Sequence, residues 1–100
     1  MTTSVQNGPA DRAGKGLSSA YRQPGTPLEA DLARLFAARL QVAPVGVDDD
    51  FFELGGHSLM AAELLLDIEQ ELGFEVTART LFLQPTIAQL AATMAGTEER

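Results

Sequence analysis

The chain has 100 residues, of which 45% are apolar and none is cysteine. This length is enough for one small domain, and the lack of cysteine excludes disulfides and thiolate metal sites. The formal net charge is −7, and residues 28–100 hold thirteen acidic but only four basic residues. Such a domain repels nucleic acid and anionic membranes and attracts basic protein surfaces. No apolar run is long enough for a signal peptide or a membrane span, so the sequence predicts a cytoplasmic protein.

The first predicted helix begins at a clear capping signal. Residues 1–25, which precede it, are rich in Gly, Ser, Thr, Pro and Gln, and this composition predicts a flexible tail or linker. Thr26, Pro27 and Glu29 form a capping box with Thr26 as the N-cap residue. An apolar stripe at helical spacing follows and ends before Pro44. The stripe consists of Leu28, Leu32, Leu35, Phe36 and Leu40, where we expect the helix to end.

Residues 41–57 form a connection that is longer than most loops between helices. It holds six large apolar side chains, so we expect it to be pinned to the core. These are Val42, Val45, Val47, Phe51, Phe52 and Leu54. Gly55 and Gly56 allow backbone conformations that a side chain would forbid, and they leave space beside Ser58.

A second helix is predicted over residues 58–72, with Gly73 as the residue that stops it. At about 100° per residue, its apolar and polar faces separate well. The core stripe is Ala61, Leu64, Leu65, Ile68 and Leu72. The polar face, which we expect to face solvent, is Glu63, Asp67, Gln70 and Glu71. Leu59, Met60 and Leu66 lie off the core stripe. Either another element covers them, or they are exposed for a partner.

Two further helical segments follow. A short one spans residues 77–83, with Thr77 as its cap and Phe82 as its core anchor, and Pro85 ends it. A last helix is capped by Thr86 and ends at Gly96. Its apolar positions are Ile87, Leu90, Ala91 and Met94.

The predicted fold is therefore all-α, a four-helix bundle with three main helices, a short fourth and a long first loop. The folded domain spans residues 26–95, and residues 96–100 form a C-terminal tail. No segment alternates with the period of two that indicates a strand. We assign Phe36, Phe52 and Phe82 to the core.

Ser58 is the central candidate site residue, and its position allows two interpretations. A serine at the start of a helix is a natural N-cap, because its hydroxyl accepts a hydrogen bond from a free backbone N–H. Alternatively, it carries a covalently attached group. The pattern argues against a catalytic nucleophile, since Met60 breaks the G-x-S-x-G elbow and no strand precedes it. His57, the one histidine, is adjacent and points about 100° away on a helix.

The acidic run before this serine lacks the pattern of a metal site. Asp48, Asp49, Asp50 and Glu53 do not have the glycine and the distal glutamate of a calcium loop. One histidine and no cysteine argue against zinc or iron. We therefore predict no metal site and interpret these acids as a solvated loop.

The residues around Ser58 resemble the signature of carrier proteins in their peptidyl form, the thiolation domains of nonribosomal peptide synthetases. They read Asp50-Phe51-Phe52-Glu53-Leu54-Gly55-Gly56-His57-Ser58-Leu59. Residues 45–49, 81–82 and 85–91 also resemble this family, so the likeness spans about residues 26–94. The Gly-Gly-His-Ser form favours a peptidyl carrier over fatty-acid or polyketide carriers. Residues 21–29 resemble the linker that leads from an adenylation domain into its carrier.

The resemblance implies that Ser58 is the attachment point for 4′-phosphopantetheine, transferred from coenzyme A by a phosphopantetheinyl transferase with magnesium. The thiol of this arm would hold an aminoacyl or peptidyl group as a thioester. The implied partners are the transferase, an adenylation enzyme or domain, and condensation, thioesterase or tailoring enzymes. The carrier would be a monomer, would bind neither nucleic acid nor membrane, and would catalyse nothing itself.

Leu59, Met60, Leu66 and Leu83 then form a candidate docking patch for these partners, with packing under the loop or the short helix as the alternative. Two other functions stay open. One is an acyl or aryl carrier of a polyketide or hybrid pathway. The other is an acidic helical interaction module in which Ser58 is only a cap. The chain is either a free-standing carrier or a domain of a larger synthetase.

Overall fold

The computed structural model describes residue 17 and residues 20–98, which form four α-helices and no strand. The helices are α1 (Pro27–Leu40), α2 (Ser58–Leu72), α3 (Ala78–Leu83) and α4 (Ile87–Glu98). The prediction of an all-α fold with three main helices and a short one is confirmed. No helix in this part of the chain is both long and apolar enough to cross a membrane. The predicted flexibility of residues 1–16, 18 and 19 lies outside the described residues.

Threonine hydroxyls cap helices α1, α3 and α4. Thr26 Oγ1 accepts a hydrogen bond from Glu29 N over 3.1 Å, as the predicted capping box requires. Equivalent bonds at α3 and α4 join Thr77 to the backbone N–H of Thr80 and Thr86 to that of Gln89. Because each bond satisfies an N–H that has no partner within its helix, the predicted starts of these three helices are confirmed.

The C-terminal ends of α2 and α4 differ in the role of glycine. Gly73 ends α2 as predicted, with a left-handed φ of 77° and an N–H that donates to Glu69 O. Gly96 does not end α4, and the helix continues to Glu98. The predicted stop at Gly96 is wrong, because a glycine inside a helix costs only about 1 kcal/mol and no proline follows to break the hydrogen bonding.

The core is formed by all four helices together with the loop of residues 41–57. Five of the six loop residues predicted to be pinned are buried, namely Val42, Val45, Val47, Phe51 and Leu54. Two backbone hydrogen bonds of 2.9 Å hold the loop against the start of α4. They run from Ala88 N to Val47 O and from Phe51 N to Pro85 O. The loop is therefore part of the packed core.

A chain of aromatic rings runs from the core to the surface. Phe36 meets Phe51 edge-on with centroids 5.5 Å apart, and Phe51 meets Phe52 edge-on at 5.1 Å. Phe52 is half-buried, not fully buried, and stacks on Phe82 at 5.1 Å. The prediction that Phe82 is a core residue is wrong, because it is 52% exposed. Leu81 anchors α3 in the core instead, since it is fully buried.

Arginines on α1 pair with acids on α2. Arg39 donates two hydrogen bonds of 2.6 and 3.0 Å to Asp67 and lies 3.4 Å from Glu63. Arg34 lies 3.2 Å from Glu71. These three acids were predicted to face solvent, but they face α1 across the helix pair. The hydrogen bonds from Arg39 hold the pKa of the Asp67 carboxyl below its ordinary value.

The pairing of Asp67 predicts a pH-dependent contribution to stability. Because its pKa is lower in the folded state, its stabilisation is present above the unfolded pKa of about 4 and is lost as pH falls through the folded pKa. We expect Asp67→Asn to lower the free energy of unfolding by up to about 1 kcal/mol at pH 7, and by progressively less below pH of about 4. Urea unfolding followed by circular dichroism at several pH values measures this difference.

Glu69→Gln is the matched control, because Glu69 lies on the same helix and forms no ion pair with any residue in the described part of the chain. The control should leave the unfolding free energy unchanged at every pH. An Asp67→Asn effect of equal size at pH 7 and at pH 3 would contradict the assignment.

Candidate functional site

Ser58 is the first residue of α2, and it is exposed. The N-cap of this helix is His57, so the interpretation of Ser58 as the N-cap is wrong. His57 has an extended backbone with φ −143° and ψ 178°, and its Nδ1 accepts a hydrogen bond from Met60 N over 3.4 Å. Because Ser58 already lies inside the helix, its hydroxyl is not needed as a cap. It forms no hydrogen bond with any residue that the structure describes.

The start of α2 has the electrostatic character of an anion site. The first N–H groups of a helix lack carbonyl partners, and the helix dipole places partial positive charge at this end. No acidic residue lies in the first turn of α2, although the chain as a whole is acidic. A negatively charged group attached to Ser58 would therefore be stabilised here.

Two glycines bring the loop to Ser58. Gly55 has a φ of 109°, a conformation that residues with side chains rarely adopt. At Gly56 the requirement is for space, because an added Cβ would lie 2.7 Å from Cζ of Phe51 and closer still to two other ring atoms. Gly56 N also donates to Phe51 O over 3.0 Å. The buried Phe51 ring thus fixes the backbone two residues before the serine. The space that Gly56 leaves is taken up by this ring, whereas the sequence predicted space beside Ser58.

Of the acids before the serine, Asp48 and Glu53 are exposed, as expected of a solvated loop, but Asp49 is buried, and the interpretation is wrong for that residue. Asp49 is fully buried, and its carboxylate accepts from Gly46 N over 2.8 Å. Asp50 Oδ1 accepts from Phe52 N over 2.7 Å and so caps the turn that follows. Asp48 pairs with an arginine in the segment before α1. Among the described residues, no group of three or more His, Cys, Asp or Glu is arranged to hold a metal ion.

The predicted docking residues divide into two groups. Leu59, Leu66 and Leu83 are exposed by 66%, 55% and 65%. Met60 is half-buried and packs against the core. Phe82, adjacent to Leu83, adds an exposed aromatic ring that the sequence analysis assigned to the core. A helical wheel separates Leu81 from Phe82 by about 100°, so it could have shown that only one of them faces inward.

Most of the chain matches a known protein family. Residues 30–94 match the family described as phosphopantetheine attachment site. The chain is 54% identical over 71 residues to a dimodular nonribosomal peptide synthase of Bacillus subtilis (strain 168). These residues are 71% of this chain but only 3% of the synthase. The chain belongs to the phosphopantetheine attachment-site family.

Two solved structures share the fold of this carrier. One is an active-site mutant of a peptidyl carrier protein, with a TM-score of 0.76, 34% identity, and coverage of 80% of this chain and 89% of that one. The other is a peptidyl carrier protein in complex with the phosphopantetheine transferase Sfp and coenzyme A. It has a TM-score of 0.74, 36% identity, and coverage of 76% and 99%. The prediction of a peptidyl carrier protein is confirmed.

The contact between Phe51 and position 56 predicts that Gly56 is required for stability. We expect Gly56→Ala to lower the free energy of unfolding by about 1–3 kcal/mol, because the new methyl group overlaps a buried ring in a packed core. Gly96→Ala is the matched control, since a Cβ there meets no atom within 4 Å. That control should raise stability by about 0.5–1 kcal/mol through better helix propensity. Urea unfolding of both variants decides the point, and equal stability of Gly56→Ala and the parent would disprove the contact.

Proposed function

We propose that this carrier holds aminoacyl or peptidyl groups on a 4′-phosphopantetheine arm attached to Ser58, in nonribosomal peptide biosynthesis. The observation that carries the proposal is the exposed Ser58 hydroxyl at the N-terminus of a 15-residue helix, without a hydrogen-bond partner among the described residues. The family match over residues 30–94 supports it. The carrier catalyses no step itself, and we place it in the cytoplasm.

The residues around Ser58 suit this attachment. A phosphodiester is an anion, and the free N–H groups of the first turn of α2 favour an anion at this place. Ser58 is exposed, and the hydrogen bond from Met60 N to His57 fixes the start of the helix. The terminal thiol of the arm supplies the thioester chemistry that a chain without cysteine lacks.

The proposed partners are a phosphopantetheinyl transferase, an adenylation enzyme or domain, and condensation, thioesterase or tailoring enzymes. The net charge of −7 attracts basic surfaces and speeds encounter at low salt. The proposed docking patch consists of Leu59, Leu66 and Leu83 with the exposed part of Met60. The exposed leucines support this assignment, because they lie on two helices, α2 and α3, that pack against each other.

Intact mass measures the attachment directly. We expect the parent chain to gain one phosphopantetheine during incubation with coenzyme A, magnesium and a broad-specificity phosphopantetheinyl transferase. Ser58→Ala should gain none and should keep the helical circular dichroism spectrum of the parent. A folded parent chain that gains no mass, or a Ser58→Ala variant that does, would refute the assignment of Ser58.

The docking patch predicts a variant that loses partner recognition but keeps its stability. We expect Leu59→Glu to lower kcat/KM for the transferase about tenfold, the loss typical of an apolar residue at the centre of an interface. Its unfolding free energy should change by less than about 0.5 kcal/mol, because the residue is exposed. Ala38→Glu adds the same charge at an exposed position of α1 and should leave both quantities unchanged. A large stability loss in Leu59→Glu would show that the residue packs instead of docking.

A further inference from the structure

The segment before α1 lies against the loop that leads to Ser58, although its composition predicts flexibility. Val47 N donates a hydrogen bond to Arg22 O over 2.9 Å. Val47 is buried, and its own carbonyl accepts from Ala88 N at the start of α4. The backbone of Arg22 is thus bonded to a loop residue that is itself held by the core.

Side chains on both partners reinforce this backbone contact. Arg22 donates two hydrogen bonds to the carboxylate of Asp48, of 2.8 and 2.9 Å, in the two-pronged geometry that arginine favours. Gly46 lets the segment approach closely, because a Cβ there would lie 3.0 Å from the Tyr21 ring and 3.2 Å from Arg22 N. The buried carboxylate of Asp49 binds Gly46 N and so holds this surface in shape.

We propose that Tyr21 and Arg22 form an anchor that docks the N-terminal segment on residues 46–48. The segment from Tyr21 to Thr26 is then held on the carrier and does not act as a free hinge in front of α1. The inference rests on the proposed function, in which the carrier presents the group on Ser58 to several partner enzymes. The surface at residues 46–48 is an interaction site for an extended segment of the same chain. The arginine of this segment pairs with Asp48.

The contact between the anchor and residues 46–48 can open in solution. The two side chains of the ion pair are 56% and 44% exposed, so water and salt compete with it. Tyr21 and Thr26 are five residues apart, and an extended chain rises about 3.4 Å per residue. Opening therefore frees a stretch of up to about 17 Å between Tyr21 and Thr26. Closing of the anchor holds this segment against the carrier again. The shorter free segment raises the effective concentration of nearby partners.

Backbone order at residues 20–23 reports the anchor directly, through amide order parameters from 15N relaxation of the full chain. We expect values of about 0.85 at Tyr21 and Arg22 in the parent protein, and values below about 0.6 in Arg22→Asp, which replaces attraction to Asp48 by repulsion. The double variant Arg22→Asp with Asp48→Arg should restore the parent values. In the parent, raising NaCl from about 0.1 to 1 M should lower them, because the screening length falls from about 10 to 3 Å.

Arg34→Ala is the matched control, because it breaks an equally exposed ion pair between Arg34 and Glu71 at another place. It should leave the order parameters of Tyr21 and Arg22 unchanged. Low values at these residues in the parent chain, or unchanged values in Arg22→Asp, would overturn the anchor. An equal loss of order in Arg34→Ala would overturn it too.

Loading of Ser58 distinguishes this inference from the proposed function. Arg22→Asp should gain one phosphopantetheine as the parent does, since the variant leaves the serine intact. If the parent chain is not loaded, the proposed function fails while the order parameters still decide whether the anchor exists. If loading succeeds and order at Tyr21 is low, the anchor fails and the carrier function stands.

Discussion

The position of Ser58 depends on the burial of Phe51 against Gly56. The ring is fully buried and contacts Phe36, and the glycine backbone lies so close that no side chain fits between them. Because Phe51 N also bonds to Pro85 O, the same residue joins the loop to the start of α4. One contact thus converts a long connection into a rigid support that ends two residues before Ser58.

Much of this support could be predicted, because its signals are local in sequence. Thr26, Thr77 and Thr86 begin helices through hydrogen bonds to residues three positions away, and spacing alone reveals such bonds. The burial of the loop could be predicted from its six apolar residues, because exposing their side chains to water is unfavourable. Ser58 could be singled out as the candidate because its glycines and histidine are contiguous with it.

The features that were missed depend on contacts between distant segments. Arg22 pairs with Asp48 across 26 positions, and Arg39 pairs with Asp67 across 28. Composition marks the first of these arginines as part of a flexible segment, and a helical wheel marks Asp67 as solvent-facing. Neither the composition of a segment nor a helical wheel identifies the residue that binds a given side chain. Neither could therefore show that three of the four arginines in the described residues bind acids.

The identity of the cap at α2 explains how the serine stays available. A serine at the N-cap would use its hydroxyl as an acceptor for the helix backbone, as Thr26 does at α1. Here His57 Nδ1 accepts that bond instead. Ser58 therefore lies one position later, with its hydroxyl exposed beside the free N–H groups of the first turn. The histidine stabilises the helix, and the serine hydroxyl stays free for the attachment that we propose.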